Sequence, residues 1–247
     1  MLNHECNWTL PSSDLSLSGN DVHVWRANID LPISRLEELE RTLCDSEKAR
    51  AGRFVFDADR RRYIAGRGFL RLILGRYIRQ LPEALVFSYS PRGKPELVAN
   101  SPAETLYFNV SHSHDMALYA VSRTRCVGID IEHIAAKCNV EQLAKRYFFP
   151  REFDAICAVA PERKNEIFFK GWTVKEAYVK ATGEGLAALE QVELAIAVDG
   201  PAVLQRIHDN PDATGRWSSC QLSPAPGYIG ALVVEGKGWD VKLLLCL

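Results

Sequence analysis

Two acidic residues alternate with isoleucines in the run Val127-Gly-Ile-Asp-Ile-Glu132. On a strand, Asp130 and Glu132 project from one face and the two isoleucines project from the other. The run therefore predicts a paired acidic edge that could bind a cation. The same pattern is also typical of a half-buried strand with a polar solvent face, so the pair alone does not decide between these readings.

A second group of residues follows in the segment Trp172-Thr-Val-Lys-Glu-Ala-Tyr-Val-Lys180, which lies inside a predicted helix. Glu176 and Lys180 are i,i+4 neighbours, Trp172 lies one turn before Glu176 on the same stripe, and Lys175 points elsewhere. An exposed Glu/Lys pair beside a core tryptophan gives the same spacing and contributes only about 0.3–0.5 kcal/mol.

If Glu176 meets Asp130 and Glu132, three carboxylates share one site. Two unit charges about 4 Å apart repel by roughly 4 kcal/mol at an effective dielectric constant of 20, so a cation must neutralise them. Oxygen ligands suit Mg²⁺, with Mn²⁺ as a second choice, and Mg²⁺ commonly bridges carboxylates to substrate phosphates. The cluster thus predicts a metal site formed by these three residues and a phosphate-bearing substrate.

Residues suited to phosphate binding lie elsewhere in tight turns, at a strand end and between two helices. Each is ordinary by itself: a turn lysine is usually solvated, and a histidine such as His112 is often structural. The candidates are Arg50, Arg62, Gly93, Lys94, Pro95, Asn109, Ser111 and His112.

Composition restricts the class of protein. The 247 residues carry a net charge of −1, with 47% hydrophobic and 25% charged residues, which is typical of a globular protein without a general attraction for nucleic acid or anionic membrane. No N-terminal apolar signal and no run of about 18 apolar residues is present, so we expect no membrane association and a cytoplasmic location. The cysteines lack C-x-x-C spacing, which argues against disulfides or zinc. They are Cys6, Cys44, Cys126, Cys138, Cys157, Cys220 and Cys246.

The pattern of elements predicts a duplication. In each half a strand precedes two short helices and a long helix, and further strands follow. We expect an irregular arm over residues 1–21, one half over 22–124 and a second half, with the metal site, over 125–247. The predicted strands are 22–29, 85–89, 106–110, 116–122 and 127–132, with more after 185, and the predicted helices are 34–43, 46–54 (with Ser46 as N-cap), 57–79, 140–148, 150–159 and 162–182.

The acidic strand motif and the helix motif, taken together, resemble the signature pair of the 4′-phosphopantetheinyl transferases. Gly93-Lys-Pro95, Phe108-Asn-Val-Ser-His112 and Ala49-Arg-Ala-Gly-Arg-Phe-Val-Phe56 resemble further motifs of the Sfp-type branch of that family. The resemblance extends from about Val22 to the C-terminus.

The resemblance implies an α+β fold, a pseudo-twofold monomer of two similar halves with coenzyme A in the cleft between them. It implies holo-[acyl-carrier-protein] synthase activity on apo acyl, peptidyl or polyketide carrier proteins. Asp130, Glu132 and Glu176 would hold Mg²⁺, and Lys180 would contact the pyrophosphate. The eight residues named above as phosphate-binding candidates, together with Asp130 and Lys180, would bind coenzyme A.

The implied catalytic residues are Asp130, Glu176 and Lys180, with Glu176 as general base either directly or through a water on the metal. Ala51-Gly52 departs from the more basic pattern expected of relatives, which predicts weaker phosphate binding there.

Three other interpretations stay open on the residues. Arg60, Arg67 and Arg71 recur on one helical face that is either solvated, the more ordinary case, or in contact with an acidic carrier protein. A Mg²⁺-dependent nuclease or phosphohydrolase would use similar acidic residues but would need a basic track for nucleic acid. A silent module would bind carriers or coenzyme A without catalysis.

Overall fold

The first half of the chain follows the predicted order of elements. The computed structural model describes residues 7–13, 15–99, 101, 105–135, 139–208 and 212–246. Its first elements are β1 (Asp21–Asn28), α1 (Ile33–Arg41), α2 (Asp45–Ala51), α3 (Asp57–Ile78), a 3₁₀ turn (Pro82–Ala84), β2 (Phe87–Tyr89), β3 (Pro95–Leu97), β4 (Tyr107–Ser113) and β5 (Met116–Ser122).

The second half repeats this order. Its elements are β6 (Val127–His133), α4 (Val140–Tyr147), α5 (Pro150–Cys157), α6 (Pro161–Thr182), a 3₁₀ turn (Leu186–Gln191), β7 (Val192–Ile196), β8 (Ala202–Ile207), α7 (Ala213–Arg216), β9 (Trp217–Leu222), β10 (Tyr228–Glu235) and β11 (Asp240–Cys246). The predicted elements are confirmed with small shifts at their ends. The strand predicted over 85–89 is shorter because the 3₁₀ turn precedes it.

The strand order of the two main sheets confirms the duplicated α+β fold. Sheet one has the order β11-β1-β5-β4 and sheet two has the order β6-β10-β9, so β1-β5-β4 and β6-β10-β9 correspond. The small hairpins β2-β3 and β7-β8 correspond as well. β11 lies parallel to β1, with Leu244 beside Trp25, so the last strand of the chain joins the sheet of the first half. The division at residues 124 and 125 stays a prediction.

A long helix covers the outer face of each sheet. α3 packs on sheet one around Trp25 and Ile64, and α6 packs on sheet two around Val174 and Ala231. α6 approaches β6 so closely that a Cβ at Gly128 would collide with the backbone of α6. This close contact brings the side chains of the last turns of α6 next to the acidic face of β6. No helix among the described residues is long and apolar enough to cross a membrane.

A buried ion pair between a glutamate and a basic side chain occurs at the same place in each half. Glu47 is the third residue of α2 and pairs with Arg71, whose Nε lies 2.7 Å from Glu47 Oε2. Glu152 is the third residue of α5 and pairs with Lys175 at 3.1 Å. Arg71 and Lys175 are each the fifteenth residue of a 22-residue helix. The two halves thus share a buried ionic contact between their second and third helices.

This contact corrects two predictions. Ser46 is not the N-cap of α2, since Cys44 occupies that position and its backbone N–H donates to Glu47 Oε2 at 3.0 Å. The arginine face of α3 is not a solvated or carrier-facing surface, because Arg71 is 1% exposed and Arg67, which also pairs with Glu47, is 9% exposed. Of the three arginines only Arg60 remains substantially exposed.

A buried histidine makes stability depend on pH. Tyr77 Oη accepts a hydrogen bond from Trp25 Nε1 at 2.8 Å and lies 2.7 Å from His23 Nδ1, to which it donates. Burial, with a smaller contribution from Lys242, lowers the pKa of His23 from 6.5 to about 4. The unfolded chain therefore takes up this proton more readily than the folded protein. The stabilisation is complete above pH 6.5 and is lost as the pH falls towards 4.

We expect the free energy of unfolding in urea to fall by about 2 kcal/mol between neutral pH and a pH about 1.5 units below 6.5. His23→Phe should remove this part of the pH dependence because the proton can no longer be taken up. If the variant and the natural protein lost equal stability over that interval, His23 would not be the responsible group.

Candidate active site

The site forms where β6, β4 and α6 meet. Asp130 on β6 is 2% exposed, and its Oδ1 accepts hydrogen bonds from Lys180 Nζ at 2.6 Å and from Ser111 Oγ at 2.7 Å. Its second oxygen, Oδ2, is buried and has no hydrogen-bond partner among the described residues. A buried carboxylate oxygen without a partner is costly. Oδ2 is therefore the position in this site where a cation would be most stabilising.

The other two carboxylates respond to the charge of Asp130. Burial, and then the charge of Asp130, raises the pKa of Glu132 to about 7, although Ser113 Oγ donates to Glu132 Oε2 at 2.9 Å. Burial raises the pKa of Glu176 as well, with Lys180 opposing and Asp130 adding to the rise. The three acids thus lie in one electrostatic environment that carries an excess of negative charge.

The donor set fits Mg²⁺, although its geometry is not that of a formed metal site. Within the described ranges, no three His, Cys, Asp or Glu side chains lie close enough to form a metal-binding group. The buried oxygen of Asp130 favours a divalent cation at this position, and so do the raised pKa values of Glu132 and Glu176, which come from burial first and from the charge of Asp130 in addition. The metal role of the three carboxylates stays a prediction.

Polar side chains of β4, in the first half, form hydrogen bonds with residues of β6, in the second half. Asn109 is buried, and its Oδ1 accepts the backbone N–H of Ile129 at 2.9 Å. Ser111 and Ser113 continue the same face of β4 and bind Asp130 and Glu132. Asn109 therefore holds β4 against β6, and its predicted contact with coenzyme A stays a prediction.

The Lys94 turn reaches the end of α6. Gly93 has a φ of 81°, in the left-handed region, and its N–H donates to the Ser90 carbonyl at 2.8 Å. Lys94 Nζ donates to the carbonyls of Lys180 at 2.7 Å and Ala181 at 3.1 Å. A cation at these carbonyls stabilises the C-terminal end of the helix. Burial lowers the pKa of Lys94.

A cleft of about 690 Å³ opens beside this turn, between the two halves. Its lining includes the turn residues Ser90, Lys94 and Pro95, Phe108 at the start of β4, and Ala181 on α6. The cleft therefore extends from the Lys94 turn to the end of the helix that carries Lys180. Its volume lies in the range of small-molecule sites.

The basic side chains predicted to bind coenzyme A lie in two places, some near Lys180 and one at a neighbouring cavity. Burial, followed by the charges of Lys180 and Arg62, lowers the pKa of His112, so these three groups lie near one another, although His112 is an exposed residue. Arg50 lies over the Tyr63 ring at 5.5 Å and lines a separate cavity of about 640 Å³. The contacts of Arg50, Arg62, Lys94 and His112 with coenzyme A stay predictions.

Sequence reasoning missed Ser113. Ser113 alternates with Asn109 and Ser111, so the period-two pattern on β4 was a signal that could have found it. Trp172 stacks on Phe168 and contacts Tyr147, in agreement with the interpretation of this residue as a core tryptophan.

The fold and the site define an α+β enzyme built by duplication, with an anionic site and a lysine at the junction of its halves. Comparison with known proteins agrees with this class. The model of the 4′-phosphopantetheinyl transferase superfamily matches residues 126–233, and the model of the 4′-phosphopantetheinyl transferase N-terminal region matches residues 33–124.

Similar proteins carry the same description. The chain is 43% identical to the 4′-phosphopantetheinyl transferase HetI of Nostoc sp., covering 98% of both chains. It is 34% identical to a putative 4′-phosphopantetheinyl transferase of Synechocystis sp. over 82% of this chain and 79% of the relative. It is 33% identical to the transferase psf-1 of Bacillus pumilus over 86% of this chain and 88% of the relative. The chain belongs to the 4′-phosphopantetheinyl transferase family.

Proposed function

We propose that this enzyme transfers the 4′-phosphopantetheine group of coenzyme A to a serine of an apo acyl, peptidyl or polyketide carrier protein and releases 3′,5′-ADP. The observation that supports this most is Asp130, which is buried at the junction of the halves, bound to Lys180 and Ser111, with one oxygen free. We further propose that it acts as a monomer in the cytoplasm, with no nucleic acid or membrane partner.

Asp130, Glu132 and Glu176 would hold the metal, Mg²⁺ by preference and Mn²⁺ by the same oxygen chemistry. When bound, the ion neutralises charge on the pyrophosphate of coenzyme A and on the leaving 3′,5′-ADP.

Lys180 positions and stabilises the reacting phosphate. Its side chain is 29% exposed, so it remains accessible to a ligand while Asp130 accepts a hydrogen bond from its ammonium group. From this position Nζ can donate to a phosphate oxygen and stabilise the negative charge that develops on the leaving group. Asp130 thus acts on the reaction both by its free oxygen and by orienting Lys180.

Glu176 takes the proton of the attacking serine. The serine oxygen forms a bond to the phosphorus that bears pantetheine, and the bond from that phosphorus to the bridging oxygen of 3′,5′-ADP breaks. Burial raises the pKa of Glu176, which makes its carboxylate a better proton acceptor near neutral pH than an ordinary glutamate. Burial raises the pKa of Glu132 to about 7, which makes Glu132 a second candidate for the base.

Intact-mass spectrometry of a carrier protein tests the proposal. We expect an apo acyl carrier protein incubated with the enzyme, coenzyme A and Mg²⁺ to gain the mass of one phosphopantetheine, and EDTA to abolish the gain because Asp130, Glu132 and Glu176 then lack their counter-ion. Mn²⁺ added in excess of EDTA should restore it.

The controls separate the alternatives. Apo peptidyl and polyketide carriers assayed alongside show whether the enzyme is of the broad type or restricted to acyl carriers. A coenzyme A titration by calorimetry, with and without Mg²⁺, reports binding independently of turnover. Binding without any mass gain on all three carriers would contradict the transferase and favour the silent module.

A further inference from the structure

The first half contains a structural counterpart of the active site. In the second half, Lys180 contacts Asp130 on the strand beneath it, and the next residue of the helix, Ala181, lies against Gly128. In the first half, Arg76 lies over the Trp25 ring at 5.4 Å, and the next residue, Tyr77, contacts His23. Lys180 and Arg76 are each the twentieth residue of a 22-residue helix, and Asp130 and Trp25 lie on the corresponding strands β6 and β1.

The acidic groups of the active site are replaced by apolar ones in this counterpart. On the strands, Trp25 lies at the position equivalent to Asp130, and Ala27 at the position equivalent to Glu132. On the helices, Leu72 of α3 lies at the position equivalent to Glu176 of α6. β11 lies beside β1 as β4 lies beside β6, so Leu244 and Cys246 replace the two serines of β4. The positive charge of Lys180 is the feature that the counterpart keeps, since Arg76 lies at the equivalent position of α3.

An open cavity of about 700 Å³ borders this counterpart, although Trp25 itself is 0% exposed. Its apolar lining includes Leu10, Trp25, Leu72, Leu81, Leu245 and Cys246. Leu10 and Leu81 are 61% and 67% exposed, so apolar surface continues to the mouth of the cavity. A volume of this size and an apolar wall are typical of sites for small amphipathic molecules.

The charged groups at this cavity are both positive. Arg76 and Arg79 are the charged residues of its lining, and among the described residues neither has a carboxylate within ion-pair distance. Arg76 does donate to the backbone oxygen of Ser12, at 3.4 Å, near the outside of the protein. A guanidinium group held over an aromatic ring retains donors for a planar anion.

We propose that this cavity binds a linear aliphatic carboxylate, with the chain between α3 and the end of β11 and the carboxylate on Arg76. The apolar wall suits the chain, and the paired donors of a guanidinium group match a carboxylate better than a single point charge would. The site lies under α3 on sheet one, whereas Asp130 lies under α6 on sheet two, so it does not depend on the transferase site.

Quenching of tryptophan fluorescence tests this site directly, because Trp25 forms part of its wall. We expect brominated dodecanoate to quench the protein with saturation and the Trp25→Phe variant to lose the saturable component. Dodecanol should bind more weakly than dodecanoate, and Arg76→Gln should weaken dodecanoate binding by about tenfold or more. Arg41→Gln, which removes an exposed arginine of α1, is the matched control and should bind normally.

A second variant guards against an effect on folding alone. Leu72→Trp fills the cavity while keeping the charge of Arg76 and should abolish binding, while urea unfolding and carrier modification by the variant remain close to normal. Saturable quenching that survives both Arg76→Gln and Leu72→Trp would overturn the proposal, as would equal affinity for dodecanol and dodecanoate. Absence of saturable quenching in the natural protein would overturn it too.

Discussion

Replacing Asp130 by alanine is expected to lower the turnover of carrier modification by about a thousandfold or more while the protein stays folded. The side chain fixes Lys180 and Ser111 through Oδ1 and presents the free Oδ2 to the site. Its removal takes away the orientation of the lysine and a candidate metal ligand together. Stability should change little, because Lys180 is 29% exposed and can be hydrated, and because Glu132 loses a repulsive neighbour.

The measurement is the rate of mass gain on an apo acyl carrier protein, combined with urea unfolding of each variant. Asp130→Asn keeps the shape and an acceptor for Ser111 but removes the charge, so it should lose nearly as much turnover as Asp130→Ala. Asp154→Ala removes an exposed carboxylate on α5 and serves as the matched control. Turnover by Asp130→Ala within about tenfold of normal would contradict the proposed role of this residue.

The two faces that form the site could be predicted from the sequence because each depends on local periodicity. Alternation along β6 places Asp130 and Glu132 on one face, and helical spacing places Glu176 and Lys180 on one stripe. The close packing of α6 on Gly128 then brings the two faces together. The structure shows the resulting contact between Lys180 and Asp130 at 2.6 Å.

The arginines of α3 show why other features could not be predicted in the same way. A helical period does not distinguish an arginine in solvent from one buried against a carboxylate on another helix, and the latter is the case for Arg67 and Arg71 with Glu47. Likewise, no local pattern indicates that β11 crosses to sheet one, where it completes the wall of the cavity beneath α3. Both features depend on contacts between residues far apart in the chain.

Lys175→Met is expected to lower the free energy of unfolding by about 3–5 kcal/mol, because it leaves a buried carboxylate without its cation. Lys175 is 0% exposed, and its ammonium group lies 3.1 Å from Glu152 and also donates to the Val192 carbonyl. Burial already raises the pKa of Glu152 despite Lys175, so in the variant Glu152 will take up a proton and part of the loss will depend on pH. Urea unfolding at neutral and mildly acidic pH measures both effects.

The corresponding change in the first half should cost less, and this difference tests the role of the duplicated pair. Burial opposes the charge of Glu47, but hydrogen bonds from Arg71 and Arg67 hold its pKa below the ordinary value. In Arg71→Met the carboxylate would keep Arg67, whereas Glu152, among the described residues, has only backbone N–H groups to replace Lys175. Lys145→Met, an exposed substitution on α4, should change stability by less than about 0.5 kcal/mol. Each buried pair joins the second and third helices of its half. If Lys175→Met lowered the free energy of unfolding no more than Lys145→Met does, the buried pair would not stabilise the second half.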